Sequence, residues 1–378
     1  MKILQALTVG GAMIDTIAII DNEHIERMSM ANADRSFLLL EEGRKTEAIE
    51  VSTHTGGGAI NAAVAMARLG LEVAVLSKTG KDARGQMLIE RLACERVSTR
   101  WMVTTSEAAT GASVLISSHD KDAAIFTFRG ANGLLDPGDV PAEAFRVDLV
   151  YVSTLSNRSA GCFPLIVERA KAAGAYVVVN PGIRQLSARM AEFRGTLANL
   201  DLLILNRAEA EVLLPLLVAE HGEGGPRLAM NSDEETPRLE ATGLSGGGYK
   251  MSLAGFMGAL RLSGPRSIAV TDSQGGSFVS TEDKIYYCPI VKRAVVGTAG
   301  AGDAFGATFA SFIIQGFDVE IALRFAAANA ACVVGHVDTQ SGLQTRQALE
   351  MLMASDLGSL PVRKWVSPPA MRGDAARA

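Results

Sequence analysis

The stretch VVGTAGAGDAFGATFASFIIQG, residues 295–316, sets a glycine-rich turn against an apolar helix, with one carboxylate, Asp303, at the junction. Glycines at 297, 300 and 302 permit a tight turn whose backbone N–H groups converge, and the start of the helix adds partial positive charge. Such a nest suits a phosphoryl group whose oxygens gain negative charge. A carboxylate beside it is placed to take a proton from an incoming hydroxyl. The plainer reading is that Asp303 caps the helix and the glycines only turn the chain.

Outward from this turn, short β-branched runs alternate with Ala/Leu-rich stretches of helical length. Residues 4–11, 73–80, 148–154, 175–182, 201–206 and 267–272 read as buried strands. Between them, 61–69, 85–95, 163–173, 208–219 and 251–260 read as helices. The alternation predicts an α/β fold, three layers with helices on both faces of a mostly parallel sheet. Ligands in such sheets bind beyond the carboxyl ends of the strands.

Two parts break the rhythm. Residues 17–54 read as an antiparallel hairpin turning at Gly43, and 110–130 as a second turning at Asp120-Lys121-Asp122. Together they predict a small β-sheet lid on an α/β body made of 1–16, 55–109 and 131–362. The stretch 220–250, rich in Gly, Glu, Pro and Ser and without periodicity, predicts a flexible surface insertion, and 363–378 a loosely ordered tail.

Composition removes several classes. Lys plus Arg number 36 against 41 Asp plus Glu, a net charge of −5, which excludes nucleic-acid binding through bulk positive charge. No apolar run is long enough for a membrane helix, and the N-terminal run reads as a first buried strand rather than an export signal. Cys94, Cys162, Cys288 and Cys332 lie far apart without metal or disulfide spacing, as expected of a cytoplasmic protein. The five histidines show no metal spacing either. His54 and His119, in the expected lid, face either substrate or solvent. GLSGGGYKMS (243–252) lacks the Gly-Lys-Ser/Thr ending of a phosphate loop, and Gly10-Gly11 lacks the rest of a dinucleotide fingerprint.

With these residues in view, 295–316 resembles the C-terminal signature of the ribokinase-like (PfkB) carbohydrate kinases, D-T-x-G-A-G-D. Gly56-Gly57-Gly58-Ala-Ile-Asn61 resembles their N-terminal signature, Asn206-Arg-Ala-Glu209 their N-x-x-E element, and Thr271-Asp-Ser-Gln-Gly-Gly276 their nucleotide loop. The resemblance spans roughly residues 5 to 350 outside the insertion. It implies an ATP-dependent kinase that phosphorylates a hydroxyl of a sugar. Asp303 would be the general base, and Gly300, Ala301 and Gly302 the anion hole. Asp15, Gly56, Gly57 and Asn61 would hold the acceptor. Asn206, Glu209, Thr271, Ser273, Gly276, Thr298 and Asn329 would line the nucleotide site, with Glu209 holding Mg²⁺ through water. A homodimer paired through the lids is also implied.

This chain departs from that pattern in places. Gly297 stands where an Asp usually opens the signature, which leaves a monovalent-cation site without that ligand. Ser273 replaces a usual glycine, Gly58 a lysine of ribokinases, and Asn180-Pro-Gly182 alters both polar positions of a D-x-N element. Asn329 either borders the adenine or packs a helix. Two rival functions stay open: a nucleoside kinase of the same fold, for which Phe37, Phe126 and Phe128 would supply a base slot, and a non-catalytic sugar-binding protein.

Overall fold

Alternation along the central strands decides the architecture. Leu7 and Val9, Val150 and Val152, Val177 and Val179 enter one apolar cluster, while Ala6, Leu149, Tyr151 and Val178 enter another. Successive side chains of a strand point to opposite faces, so the two clusters are the two sides of one sheet. The structure, a computed structural model, describes residues 3–21, 26–29, 36–39, 42–43, 45–117, 124–230 and 235–367.

Ten strands pair in the order Arg363–Val366, Lys284–Cys288, Ser277–Ser280, Ser267–Thr271, Leu202–Asn206, Tyr176–Val179, Leu149–Val152, Gln5–Val9, Glu72–Gly80, Ser98–Thr105. From Ser267–Thr271 to Ser98–Thr105 the pairing is parallel, and the other three strands join antiparallel. Helices Gly58–Arg68, Ala301–Ile314 and Val319–Val333 cover one face, and Phe163–Ala172, Arg207–His221 and Leu253–Leu262 the other. The expected three-layer α/β fold is therefore observed. Its parallel strands end at Val9, Gly80, Thr105, Val152, Val179, Asn206 and Thr271, along a single rim.

Four strands form a separate sheet in the order Ala48–Gly56, Met13–Ile20, Gly111–Ser117, Ala124–Phe128. Its strands begin at Met13 and end at Gly56, so the expected borders at 16/17 and 54/55 fall inside strands and Asp15 belongs to the small sheet. The hairpin expected about Gly43 is not the pairing observed. Ala48–Gly56 runs antiparallel to Met13–Ile20, and Ser36–Leu39 pairs with Glu26–Ser29 in a two-stranded ribbon. Alternation fixes which residues share a face but not the partner strand, and a neighbour already in the sheet outcompeted the local turn. The second hairpin pairs as expected, Gly111–Ser117 with Ala124–Phe128, while its turn at 120–122 lies outside the described residues, as does His119.

The 220–250 segment is another correction. Leu228, Leu239 and Leu244 are buried in the main core, Arg238–Thr242 is helical, and Leu244–Gly246 pairs with Tyr249–Met251. The Glu240 carboxylate accepts from the Leu228 backbone N–H. Few apolar residues at no fixed period suffice here because each fills one site on an existing core rather than building its own. The expected tail at 363–378 likewise starts as the edge strand Arg363–Val366. There Trp365 donates its indole N–H to the Ala229 carbonyl, tying the two segments together.

Candidate active site

Helix Ala301–Ile314 begins at Gly300, whose φ of +80° puts it in the left-handed region, and a Cβ there would lie 2.6 Å from the Thr339 Cβ. Only glycine turns the chain this tightly into a helix start. The first-turn N–H groups of Ala301, Gly302 and Asp303 have no partner within the helix, and a Cβ on Gly302 would meet nothing within 4 Å. An unobstructed donor cluster thus faces open space. Asp303 sits in it half-buried, its Oδ2 accepting 2.8 Å from the Asn61 amide. Burial raises the Asp303 pKa above the ordinary carboxylate range; the Asn61 hydrogen bond opposes the rise and the charge of Asp15 adds to it.

Asn61 comes from helix Gly58–Arg68, which starts after Gly57 at φ +95°, where a Cβ would stand 2.5 Å from the Gly11 carbonyl oxygen. Its own carbonyl accepts from the Thr339 hydroxyl and the Gln340 amide. Held at both ends and buried, Asn61 fixes the Asp303 carboxylate. Gly58 is pressed against Ser153, and a Cβ there would come 2.8 Å from the Ser153 Cβ and 3.3 Å from Asp303 Oδ1. The flank of Asp303 therefore has no space for any side chain at 58.

Asn206 ends strand Leu202–Asn206 and caps helix Arg207–His221 in a reciprocal box: its side chain accepts from the Glu209 N–H while the Glu209 carboxylate accepts from the Asn206 N–H, both 2.9 Å. Burial and the nearby Asp303 charge raise the Glu209 pKa to about 7 despite those hydrogen bonds. The Tyr151 hydroxyl is fully buried without a partner, and its pKa is driven up by burial and then by the charges of Asp303 and Glu209. Thr271 is the cross-strand neighbour of Asn206, and the turn through Ser273 and Gly276 follows it. Asp272 beneath that turn is gripped by two nitrogens of Arg238, at 3.0 and 2.7 Å. Thr298 lies exposed on the approach to the helix.

The acceptor end is built differently. Asp15, His54 and Ser113 stand side by side on three adjacent strands of the small sheet and line one pocket with Arg129, Asp338 and Thr339. The Ser113 hydroxyl donates to Asp15 through a short hydrogen bond. Burial raises the Asp15 pKa, with Ser113 and His54 pulling it back. Bare Gly56 makes room, since a Cβ there would stand 2.0 Å from Asp15 Oδ2.

Asn329 departs from its expected place. It is wholly buried, donates to the Thr308 hydroxyl and accepts from the Gln344 N–H, so it packs helices rather than bordering a nucleotide. Asn180 donates to the Ile204 carbonyl of the neighbouring strand. Sequence reading missed Ser113, Arg129, Asp338 and Thr339. Ser113 carried a findable signal, alternation in phase with Asp15 on a neighbouring strand, while the others reach the site only through chain reversal. Among the described residues no three His, Cys, Asp or Glu side chains group as a metal site.

The model of the family described as pfkB family carbohydrate kinase matches residues 23–223 and 254–346. The chain belongs to the pfkB family of carbohydrate kinases. As a member it is a phosphotransferase with an alcohol acceptor. The unmatched residues between the two stretches coincide with the packed segment around Leu228–Leu244. The chain is 27% identical over 313 residues to the ribokinase of Bacillus subtilis (strain 168), covering 80% of this chain and 88% of that one. It is 25% identical over 331 residues to a deoxyribokinase of Salmonella typhi, covering 86% and 94%. The solved Arabidopsis thaliana ribokinase complexed with ribose and ATP shares the fold, at a TM-score of 0.67 and 21% identity over 94% of this chain and all of that one. No helix among the described residues is long and apolar enough to cross a membrane.

Proposed function

We propose that this pfkB-family kinase transfers the γ-phosphoryl group of ATP to a hydroxyl of a sugar, with Asp303 as general base and the N–H groups of Gly300, Ala301 and Gly302 as the anion hole. The observation that carries the reading is the desolvated Asp303 carboxylate, fixed by Asn61 inside an open helix-start donor cluster. The acceptor hydroxyl attacks phosphorus, its proton passes to Asp303, and the P–O bond to ADP breaks. Asp15 and Ser113 bind acceptor hydroxyls, with bare Gly56 and Gly57 letting the backbone approach. Asn206, Thr271 and the Ser273–Gly276 turn lie on the nucleotide side, with Thr298.

Two facing acidic groups, Asp303 and a Glu209 whose pKa burial has pushed to about 7, form a site with unbalanced negative charge. That fits a hydrated Mg²⁺ held through water by Glu209. Bound there, Mg²⁺ would neutralise charge spread across the phosphates. The chain supplies no Asp at 297 for a monovalent cation, since Gly297 packs its Cα against the His336 carbonyl, where a Cβ would come 3.0 Å from that oxygen.

A sugar is favoured over a nucleoside because no Phe, Tyr or Trp is among the described residues that line the acceptor pocket. Phe126 pairs across strands with Val114, on the face opposite Ser113 and Thr127. Val51, Val114, Phe126 and Phe128 all lie on that outer face, between 43% and 64% exposed. A sheet face this apolar supports a homodimer in which two small sheets cover each other. A panel assay of ADP release with neutral sugars, sugar acids, sugar phosphates and nucleosides tests the kinase reading. ADP release dependent on a sugar and lost in Asp303→Asn supports it, and ADP release with nucleosides alone, or with none of these acceptors, overturns it.

A further inference from the structure

Lys78 and Arg68, both largely shielded from water, each meet a carboxylate, Asp139 and Glu95. Arg129 does not. It lies just past strand Ala124–Phe128, where the chain turns into Gly130–Gly133, and lines the same pocket as Asp15 and His54. Its Nε is shielded from water without a hydrogen-bond partner, and among the described residues no carboxylate pairs with its guanidinium. Burial, and after it the like charge of Arg184, depresses the Arg129 pKa. Arg184 is exposed and stands just past the Asn180-Pro-Gly182 turn at the carboxyl end of the sheet. A guanidinium keeps its proton at any working pH, so a half-buried one beside a second cation is stable only where an anion arrives. The same pocket is also lined by Asp15 and Asp338, carboxylates that suit hydroxyls.

From this arrangement, and resting on the kinase reading above, we infer that the acceptor carries an anionic group besides the hydroxyl to be phosphorylated, and that Arg129, backed by Arg184, holds that group. The occupant is thus a sugar acid or a sugar phosphate rather than a neutral sugar. The fork of N–H donors on Arg129 matches the paired oxygens of either anion.

The test compares kcat/KM for D-gluconate and 2-keto-D-gluconate, for fructose 1-phosphate, and for neutral D-ribose and D-fructose, in the wild type, Arg129→Gln, Arg129→Lys and Arg184→Gln. An anionic acceptor is expected to exceed the neutral ones by about ten- to a hundredfold, the value of a charged hydrogen-bonded contact. Activity confined to the acids or to the phosphate identifies which anion is read. Arg129→Gln should erase the preference by raising KM far more than it lowers kcat, Arg129→Lys should restore part of it, and Arg184→Gln, at an exposed position that folding tolerates, should weaken it. Neutral sugars used as well as anionic ones, or a preference untouched by both Arg129→Gln and Arg184→Gln, would overturn the inference while leaving the kinase reading intact. Wild-type protein that releases no ADP in any arm would remove the kinase reading, and the inference with it.

Discussion

The two ends of the site are built on opposite plans. At the phosphate end, Asn206 and Thr271 end neighbouring parallel strands and Asp303 opens a helix packed in the core, so donors and base are fixed by the main sheet. At the acceptor end, Asp15, His54 and Ser113 sit on a four-stranded sheet whose separate apolar cluster is small, Ile17, Ile19 and Leu115 packed on Val337. Reaction chemistry that tolerates little displacement is thus held by the most stable part of the fold, and recognition by a part that is able to change sequence cheaply.

The sharpest way to break this division is Asp303→Asn. Turnover should fall by roughly 10²–10⁴ with the melting temperature little changed; a variant of near-normal turnover would place the base elsewhere. Next is Leu239→Ala, in the segment expected from sequence to be a flexible surface insertion. Its side chain is fully buried beside Arg238, which holds Asp272 at the start of the 273–276 turn, so unfolding in urea should show a loss of about 2–5 kcal/mol. A loss near zero would return the segment to a surface loop.

At the acceptor end the effects should be smaller and appear in KM. Ser113→Ala removes one hydroxyl contact to Asp15 and should raise KM for the acceptor by about three- to tenfold, leaving kcat within a factor of two or so. An equal fall in kcat would show that the small sheet takes part in the chemistry. The pH profile separates the two ends further. A base must be deprotonated, and burial raises the Asp303 pKa, so kcat/KM should fall on acidification at a pH above that of an ordinary carboxylate. Asn61→Ala removes the hydrogen bond that favours the charged form and should move this acid limb to higher pH, whereas Asp15→Asn removes a neighbouring negative charge and should move it lower. Shifts in the same direction would refute the assignment. Phe126→Glu and Phe128→Glu, tested separately by light scattering at micromolar concentration, should yield monomers with the body's melting temperature little changed. A wild-type protein that is already monomeric and active would end the dimer proposal.

Glu209 gives the same contrast in stability. Its folded pKa of about 7 lies above the unfolded value near 4.5, so the folded state holds the proton more tightly. Stability from this group is therefore complete below about 4.5 and is lost as pH rises through about 7.

Local signals sufficed for the body of the fold and for the phosphate end. The parallel strands announced themselves as continuous β-branched runs because burial on both faces leaves no polar positions. The turn at 297–302, the N-x-x-E element and the Gly56–Asn61 turn were legible because each lies within one short stretch. Where function needs side chains from distant stretches, only the tertiary structure decided. Strand pairing in the small sheet put Ser113 and His54 beside Asp15, chain reversal near residue 338 brought Thr339 and Gln340 to Asn61, and helix packing withdrew Asn329 from the nucleotide side. The same holds for 220–250, whose scattered leucines carry no period yet fill a core built by other elements. Local sequence fixes conformation because the relevant interactions lie within a few residues. Which face meets which is set by the sum of many weak contacts over the whole chain, and no short window contains that sum.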